Sequence, residues 1–430
     1  MNQIQTPLQR ATMTKVTRRL LPFLLLLYII SWLDRANVSF AALQMNRGLG
    51  FGPAVYGFGA GIFFIGYALF EIPSNLVMVR VGPRLWIARI MVTWGLLSAG
   101  MMFVKSEMAF YVMRCLLGVA EAGFLPGILY YLSQWFPAPE RARAVSWFMM
   151  AIPLSIVIGG PLSGMLMEMN GLLGLKGWQW MFLLEGLPAT VLGFVVLGYL
   201  TDTPAQARWL TQEERETLSR HMREEQAQAL ARHGVQLGQV MRHPVVWRLA
   251  LIAFACQTGS YGLTLWVPQI VKEWSGLGDV QVGLLSALPY FAAAVGMVVV
   301  GISSDHCQER FLHIAICSAV GALGFVASAY LGSPLAGLVA LSVAAVGDYG
   351  SRGPFWALPG RFLSGKAAAA GIALINTLGA LGGFVGPYAV GYLKGLTGSF
   401  QSGLLFLAFL LLLGAMSTLS LRTAAELAEH

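Results

Sequence analysis

The sequence predicts an all-α membrane protein in which twelve transmembrane helices form two bundles of six. Of its 430 residues, 57% are hydrophobic and 11% are charged, whereas soluble domains carry about 25% charged residues. Twelve segments contain the roughly 20 mostly apolar residues that a membrane span needs. One long polar stretch, 201–244, separates the first six segments from the last six.

The twelve segments are separated by short breaks that carry Gly, Pro and charged residues. The first segment follows basic residues, as in a signal peptide. However, its apolar run is long, has no small-residue cleavage site and continues through Asp34, so we interpret it as a retained helix. The predicted spans are approximately 17–42, 55–79, 85–104, 107–135, 141–168, 178–200, 245–271, 279–303, 311–331, 334–362, 366–394 and 400–421.

This pattern divides the chain into an N-terminal bundle (1–200), a linker (201–244) and a C-terminal bundle (245–430). The linker is rich in Glu, Arg and Gln, which fits either an amphipathic surface helix or a solvated tether. With the N-terminus inside, twenty Lys and Arg fall on one face of the membrane and five on the other. The positive-inside rule then places both termini and the linker in the cytoplasm. The net charge of +8 reflects this topology and does not indicate a nucleic acid partner.

Six ionisable residues lie well inside predicted spans, where each unpaired charge costs about 2.5–3.5 kcal/mol. They fit the lining of a watery transport pathway, with purely structural ion pairs as the alternative. Their spacing is informative, because residues seven apart share a helix face and residues four apart can touch, whereas adjacent residues diverge by about 100°. The six are Asp34, Arg35, Arg114, Glu121, Asp348 and Arg352.

Other polar residues carry weaker signals. Glu71 and Glu185 lie near predicted helix ends and favour structural roles. Asp305 and Arg310 flank a short turn on the cytoplasmic side, where we expect them to latch helices. Four further residues could contact a substrate, although core packing explains each one alone: Tyr67, Tyr261, Trp356 and Asn376. Pro and Gly beside Trp356 predict an opened backbone that can line a cavity.

The motifs typical of enzymes are missing from the sequence. It has no GxxxxGK[ST] phosphate loop, no HExxH, no Cys/His cluster and no GxSxG nucleophile turn. We therefore predict that the protein is not an enzyme and uses no cofactor. Membrane lipid is an expected partner, and we expect a monomer.

Four stretches, spread over both halves, resemble the anion:cation symporter branch of the major facilitator superfamily. They are LDRANVSFAALQMNRGLG (33–50), AGIFFIGYALFEIPSNLVMVRVGPRLWIARIMVTWG (60–95), RCLLGVAEAGFLPGILYYLSQWFP (114–137) and FWALPGRFLSGKAAAAGIALINTLGALGGFVGPYAVGYLK (355–394). The resemblance is greatest to bacterial tartrate, phthalate and sugar-acid permeases. It implies a bacterial inner-membrane protein that imports a small organic anion by alternating access, with protons as the coupling ion. The resemblance therefore makes a small organic anion and protons the expected partners. The key positions of the family correspond in this sequence to Asp34, Arg35, Tyr67, Arg114, Glu121, Trp356 and Asn376. The superfamily's cytoplasmic-loop pattern, GxxxDRxGRR, is matched only loosely in the first half, where Asn75 replaces its first Gly and Val79 its Asp. The second half keeps Gly301, Asp305 and Arg310.

The chemistry of these residues suggests their roles. Arg35 and Arg114 can bind carboxylate, because guanidinium pairs with it in bidentate fashion and stays charged. Asp34 and Glu121 are the proton candidates, since burial favours the neutral carboxyl and a nearby arginine favours the charged one. Three buried bases balance three buried acids, so a dianion entering with about two protons keeps the site neutral.

The substrate is less well defined by the sequence. Arg352 could hold a second carboxylate, which favours a four-carbon hydroxy-diacid such as tartrate, unless its partner Asp348 holds it away. The alternatives are another acid (a sugar acid, phthalate or an aromatic acid) or an exporter of the same fold.

Overall fold

The computed structural model describes residues 7–231, 244–331, 333–362 and 365–429. Part of the predicted linker, 232–243, and the first six and last residues of the predicted bundles lie outside these ranges. The described helices are α1 (Pro7–Leu49), α2 (Pro53–Val81), α3 (Pro83–Gly100), α4 (Glu107–Glu121), α5 (Phe124–Trp135), α6 (Ala138–Met149), α7 (Ala151–Met167), α8 (Gly177–Tyr199), α9 (Gln212–Ala231), α10 (Pro244–Ser275), α11 (Asp279–Cys307), α12 (Phe311–Tyr330), α13 (Pro334–Gly350), α14 (Arg352–Ala357), α15 (Pro359–Phe362), α16 (Gly365–Thr397) and α17 (Gln401–Glu429).

Within those ranges, twelve helical segments are long and apolar enough to cross a membrane, which confirms the predicted number of spans. Three spans that the sequence predicted as single segments are interrupted. The fourth breaks between α4 and α5 at Gly123, which has φ +88°. A Cβ there would lie 2.4 Å from the Ser74 hydroxyl oxygen, so both the backbone angle and the space require glycine.

The fifth span breaks between α6 and α7, and the tenth consists of α13, α14 and α15. The break in the tenth falls where the Pro and Gly residues of the stretch 353–360 predicted an opened backbone. Trp356 lies on the short helix α14, and α15 begins at Pro359, a favoured residue at a first helical position.

Six spans in each half place the start of α1, the linker helix α9 and the end of α17 on one face of the bundles, which we call the linker face. On the opposite face the two bundles pack closely. A Cβ on Gly57 of α2 would lie 2.6 Å from the Pro387 carbonyl oxygen of α16. The Tyr56 hydroxyl also donates to the Leu265 carbonyl oxygen at 2.7 Å. These contacts close the face opposite the linker.

The described part of the linker contains a helix, which favours the surface-helix alternative over a solvated tether. Leu218 and Met222 of α9 are buried, and Lys15 of α1 forms an ion pair with Glu214 at 3.0 Å. Trp209, just before α9, stacks on Trp135 of α5 with ring centroids 5.5 Å apart. The linker helix is therefore anchored to the N-terminal bundle.

Candidate functional site

A small cavity lies where the two bundles meet. Its volume is about 10 Å³, roughly the space that one water molecule needs. Two arginines reach it, surrounded mainly by aromatic side chains. The lining residues are Trp32, Arg35, Phe63, Phe64, Arg114, Tyr261, Thr264 and Leu265. The arginines come from the N-terminal bundle, and Tyr261, Thr264 and Leu265 come from α10 of the C-terminal bundle.

Arg35 is held by an ion pair inside the membrane. Its Nε donates to Glu121 Oε1 at 2.8 Å, and the same oxygen accepts from the Ser31 hydroxyl at 2.7 Å. Arg35 Nη1 reaches the Tyr261 hydroxyl at 3.4 Å, which connects the two bundles. Arg35 Nη2 and Glu121 Oε2 are buried without a hydrogen-bond partner among the described residues. The pair therefore keeps unused hydrogen-bonding capacity at the cavity.

Arg114 is almost completely buried, with 1% of its surface exposed. Its Nη2 donates to the Ala60 carbonyl oxygen at 3.2 Å, and its guanidinium lies 5.0 Å from the centre of the Phe63 ring. Nε and Nη1 have no hydrogen-bond partner in the described part of the chain. Because a buried charge is costly unless it is paired, this guanidinium is suited to receive an anion.

Asp34 points away from the cavity, although it is adjacent to Arg35. Its carboxylate accepts from Trp94 Nε1 at 2.7 Å, from Asn37 Nδ2 at 2.9 Å and from the Ser98 hydroxyl. Trp94 and Ser98 belong to α3, so Asp34 is enclosed within the N-terminal bundle. The sequence left open which of the adjacent charges faces the cavity, and in this structure it is Arg35.

A second charged group lies in the C-terminal bundle. The i,i+4 spacing indicated that Asp348 and Arg352 can touch directly, but no ion pair joins them. Ser260 lies between them, accepting from Arg352 Nη2 at 2.5 Å and donating to Asp348 Oδ2. The physical reason is that α13 ends at Gly350, so the two residues do not share one continuous helix.

The remaining predicted contact residues are divided between the cavity and more distant positions. Tyr67 packs against Arg35, whose guanidinium lies 5.1 Å from the centre of the Tyr67 ring. Tyr261 lines the cavity. Asn376 of α16 instead donates to Glu71 Oε1 of α2 at 3.0 Å, across the two bundles. Trp356 is 43% exposed, and neither it nor Arg352 lines the cavity in this conformation.

Two carboxyls to which the sequence assigned only structural roles are also buried. Glu71 is 7% exposed and Glu185 is 5% exposed, and Glu185 Oε1 accepts from the Ser163 hydroxyl at 2.8 Å. The predicted balance of three acids and three bases is therefore wrong, because five buried carboxyls accompany the three arginines in the part of the chain that the structure describes. Neutrality would require two of the five to carry protons. The signal was present in the sequence, since both glutamates interrupt apolar runs.

The predicted latch pair forms on the linker face. Arg310 Nη2 lies 2.5 Å from Asp305 Oδ1, and Arg310 Nη1 also donates to the Ser304 hydroxyl at 2.8 Å. These contacts fasten the turn between α11 and α12. Within the described residues, no cluster of three or more His, Cys, Asp or Glu side chains could hold a metal ion.

Two six-helix bundles with charged groups buried between them are typical of membrane transporters. A family model described as Major Facilitator Superfamily matches residues 24–387, and the chain belongs to that family. Its members are transporters, which confirms that the protein is not an enzyme.

Comparison with individual proteins agrees with this assignment. The chain is 51% identical over 419 residues to a protein of Agrobacterium vitis named "Putative tartrate transporter", covering 97% of this chain and 93% of that one. It is 42% identical over 404 residues to the "Quinolone resistance transporter" of Acinetobacter baumannii, covering 94% and 93%. Its fold resembles the crystal structure of a bacterial homolog of the human lysosomal transporter Spinster. The TM-score is 0.77 at 16% identity, and the match covers 96% and 97% of the two chains.

Proposed function

We propose that this protein is a proton-coupled symporter that imports a small organic anion by alternating access, with a hydroxy-dicarboxylate such as tartrate as its substrate. One observation carries the proposal. Two arginines, Arg35 and Arg114, present N–H groups at one cavity between the bundles, and these groups have no partner among the described residues. Of the two arginines, only Arg35 is paired with an acid there.

Competition for Arg35 provides the coupling. While Glu121 is ionised, it occupies the guanidinium that an incoming carboxylate needs. When Glu121 takes up a proton, its attraction for Arg35 weakens and the substrate can replace it. Arg114 then supplies the second guanidinium. Proton and anion therefore favour each other's binding, which is the thermodynamic requirement for symport.

A second proton is assigned to Asp34. The stoichiometry depends on the change in charge upon binding and not on the resting count, so the two additional buried carboxyls do not alter it. A dianion adds two negative charges to a low-dielectric site, and protons on Asp34 and Glu121 offset them. We therefore expect about two protons per dianion and electroneutral uptake.

Two observations support a diacid as the substrate. The Agrobacterium vitis relative is named for tartrate transport. In addition, the C-terminal bundle contains Arg352, held by one Ser260 hydroxyl and without a direct ion pair in the described structure. A conformational change that brings α14 toward the cavity would let Arg352 bind the second carboxylate, while Asn376 and Tyr67 bind hydroxyl groups and Trp356 packs on the carbon face.

Alternating access requires the bundles to open on one face at a time. The contacts around Gly57 and Tyr56 close the face opposite the linker, so we assign this conformation to the state closed to the periplasm. The excess of Lys and Arg on the linker face supports an orientation with both termini and the linker in the cytoplasm of a bacterium, and we propose a monomer in the inner membrane. The small cavity indicates that the site must expand to receive a four-carbon acid.

Export of a drug is the second candidate, because one relative is named as a quinolone resistance transporter. Purified protein in vesicles separates the two functions. A proton gradient directed into the vesicles should drive accumulation of a dicarboxylate. The same assay would test a panel of competitors, namely monocarboxylates, sugar acids, aromatic acids and a quinolone. Glu121→Gln should abolish gradient-driven uptake, whereas Glu107→Gln, an exposed change on the same helix, should not. Selective quinolone transport with no acid uptake would refute the proposal.

A further inference from the structure

The helices α2 and α16 run antiparallel along the interface between the two bundles. Toward the face opposite the linker they approach each other through glycines. A Cβ on Gly57 would lie 2.6 Å from the Pro387 carbonyl oxygen, and a Cβ on Gly61 would lie 2.8 Å from the Phe384 carbonyl oxygen. Backbones that approach this closely leave no room for a side chain, so the contact on that side is tight and apolar.

The contact between the same two helices changes character toward the linker face. Phe64 of α2 lines the cavity and packs on Gly383 of α16, where a Cβ would lie 2.5 Å from the ring. Glu71 follows Phe64 by seven residues, and Asn376 precedes Gly383 by seven residues. On each helix this is two turns, or about 10 Å. Glu71 and Asn376 therefore meet on the linker side of the cavity.

A single hydrogen bond joins these two side chains across the bundles. Asn376 Nδ2 donates to Glu71 Oε1 at 3.0 Å, and Glu71 is 7% exposed. The other carboxylate oxygen, Oε2, is buried and has no hydrogen-bond partner among the described residues. The bond favours closure, whereas the burial of an unsatisfied oxygen opposes it. Separation of the helices would expose Oε2 to water, so this contact is more easily opened than the glycine packing.

We propose that Glu71 and Asn376 form the gate between the cavity and the linker face, and that their hydrogen bond closes it in this conformation. The way in which the gate opens rests on the proposed function, which assigns Asn376 to a substrate hydroxyl. A hydroxyl that accepts from Asn376 Nδ2 takes the donor that Glu71 uses in the empty protein. Binding of a hydroxy acid therefore releases Glu71 and favours opening toward the linker face.

Distances between two spin labels measure the gate in the full-length protein without substrate. The labels are attached to cysteines that replace Leu76 of α2 and Ile372 of α16, which are 61% and 37% exposed, after the four natural cysteines are removed. Glu71→Ala removes the acceptor and should raise the ratio of long to short distances about tenfold. Ser74→Ala is the matched control and should leave the ratio unchanged, because its buried bond to the Ala122 carbonyl oxygen lies within the N-terminal bundle.

Two further variants test whether the opening comes from the lost bond. Asn376→Ala should open the gate about as far as Glu71→Ala, and the combined variant should open it no further, because either change removes the whole interaction. Glu71→Gln keeps an acceptor for Asn376 and should remain mostly closed, which separates a lost bond from a disturbed fold. An unchanged ratio in either alanine variant, or additive effects in the combined one, would overturn the gate.

Ligand affinity tests the exchange of partners at Asn376. Tartrate carries hydroxyl groups, whereas succinate is a diacid of the same length without them. Because Glu71 competes only with the hydroxyl, Glu71→Ala should raise the affinity for tartrate relative to succinate about tenfold, and an unchanged ratio would overturn the exchange. If neither diacid binds to the wild type, the proposed function fails, and the distances in the empty protein still decide whether the gate exists.

Discussion

Replacement of Glu121 by glutamine tests how proton and substrate share Arg35. Glutamine keeps the shape of the side chain and can still accept from Ser31, but it loses the charge that holds Arg35 at 2.8 Å. The variant therefore imitates the protonated state. Arg35 would have no acidic partner within 4 Å in the described structure and would be free for an incoming carboxylate.

The magnitude follows from the bond that is lost. A hydrogen bond to a charged group contributes about 1.5–3 kcal/mol. If substrate must displace Glu121 to reach Arg35, the variant should bind the anion about 10- to 100-fold more tightly at neutral pH. Its affinity should also lose most of its pH dependence. Uptake driven by a pH gradient should be abolished, while exchange of preloaded substrate should continue.

Calorimetric titration across a pH series measures this directly, together with gradient-driven uptake and counterflow in vesicles. Ser31→Ala is the matched control, because it removes the other hydrogen bond to the same carboxylate oxygen but leaves the charge. We expect it to keep the pH dependence of binding. Weaker binding by Glu121→Gln, or a pH dependence equal to that of the wild type, would refute the competition for Arg35.

Three further predictions concern other parts of the molecule. Arg352→Gln should weaken dicarboxylate binding about tenfold while leaving monocarboxylates nearly unchanged, and equal losses in competition assays would remove Arg352 from the site. Gly57→Ala should disfavour the closed face by about 1–3 kcal/mol, because its Cβ would lie 2.6 Å from the Pro387 carbonyl oxygen. If a cysteine is also placed on that face, an impermeant thiol reagent should label it more extensively together with Gly57→Ala than in a variant that carries the cysteine alone. Partial burial raises the pKa of Glu214, but backbone and Lys15 hydrogen bonds outweigh it and hold the pKa below its ordinary value. Anchoring of α9 should therefore be intact above about pH 4 and weaken as the pH falls through the lowered value, as protease sensitivity of the linker would show; Glu214→Gln should remove that dependence.

Much of the fold could be predicted from the sequence, because apolar segments of membrane-spanning length are a strong signal. The twelve spans and the polar linker followed from composition alone. The interruption at Gly123 was not predicted, since it depends on the approach of Ser74 from a neighbouring helix. Local composition does not reveal such a contact between helices.

Part of the candidate site could be predicted as a set of residues, but their partners could not. Buried charges singled out Arg35, Arg114 and Glu121, and the structure places all three near one cavity. Spacing along one helix could not show that Ser260 of α10 separates Asp348 from Arg352. It also could not show that Asn376 contacts an acid in the other bundle, because both arrangements depend on how different helices pack.

The movement of protons with substrate is the central claim, and it can be measured without any imposed gradient. Vesicles containing the protein and an internal pH dye would receive external tartrate or another transported diacid, with the membrane potential held at zero. We predict internal acidification by about two protons per dianion, and its loss in Glu121→Gln. Uptake of the anion with no accompanying proton movement, or proton movement that persists unchanged in Glu121→Gln, would contradict proton-coupled symport through the Arg35–Glu121 pair.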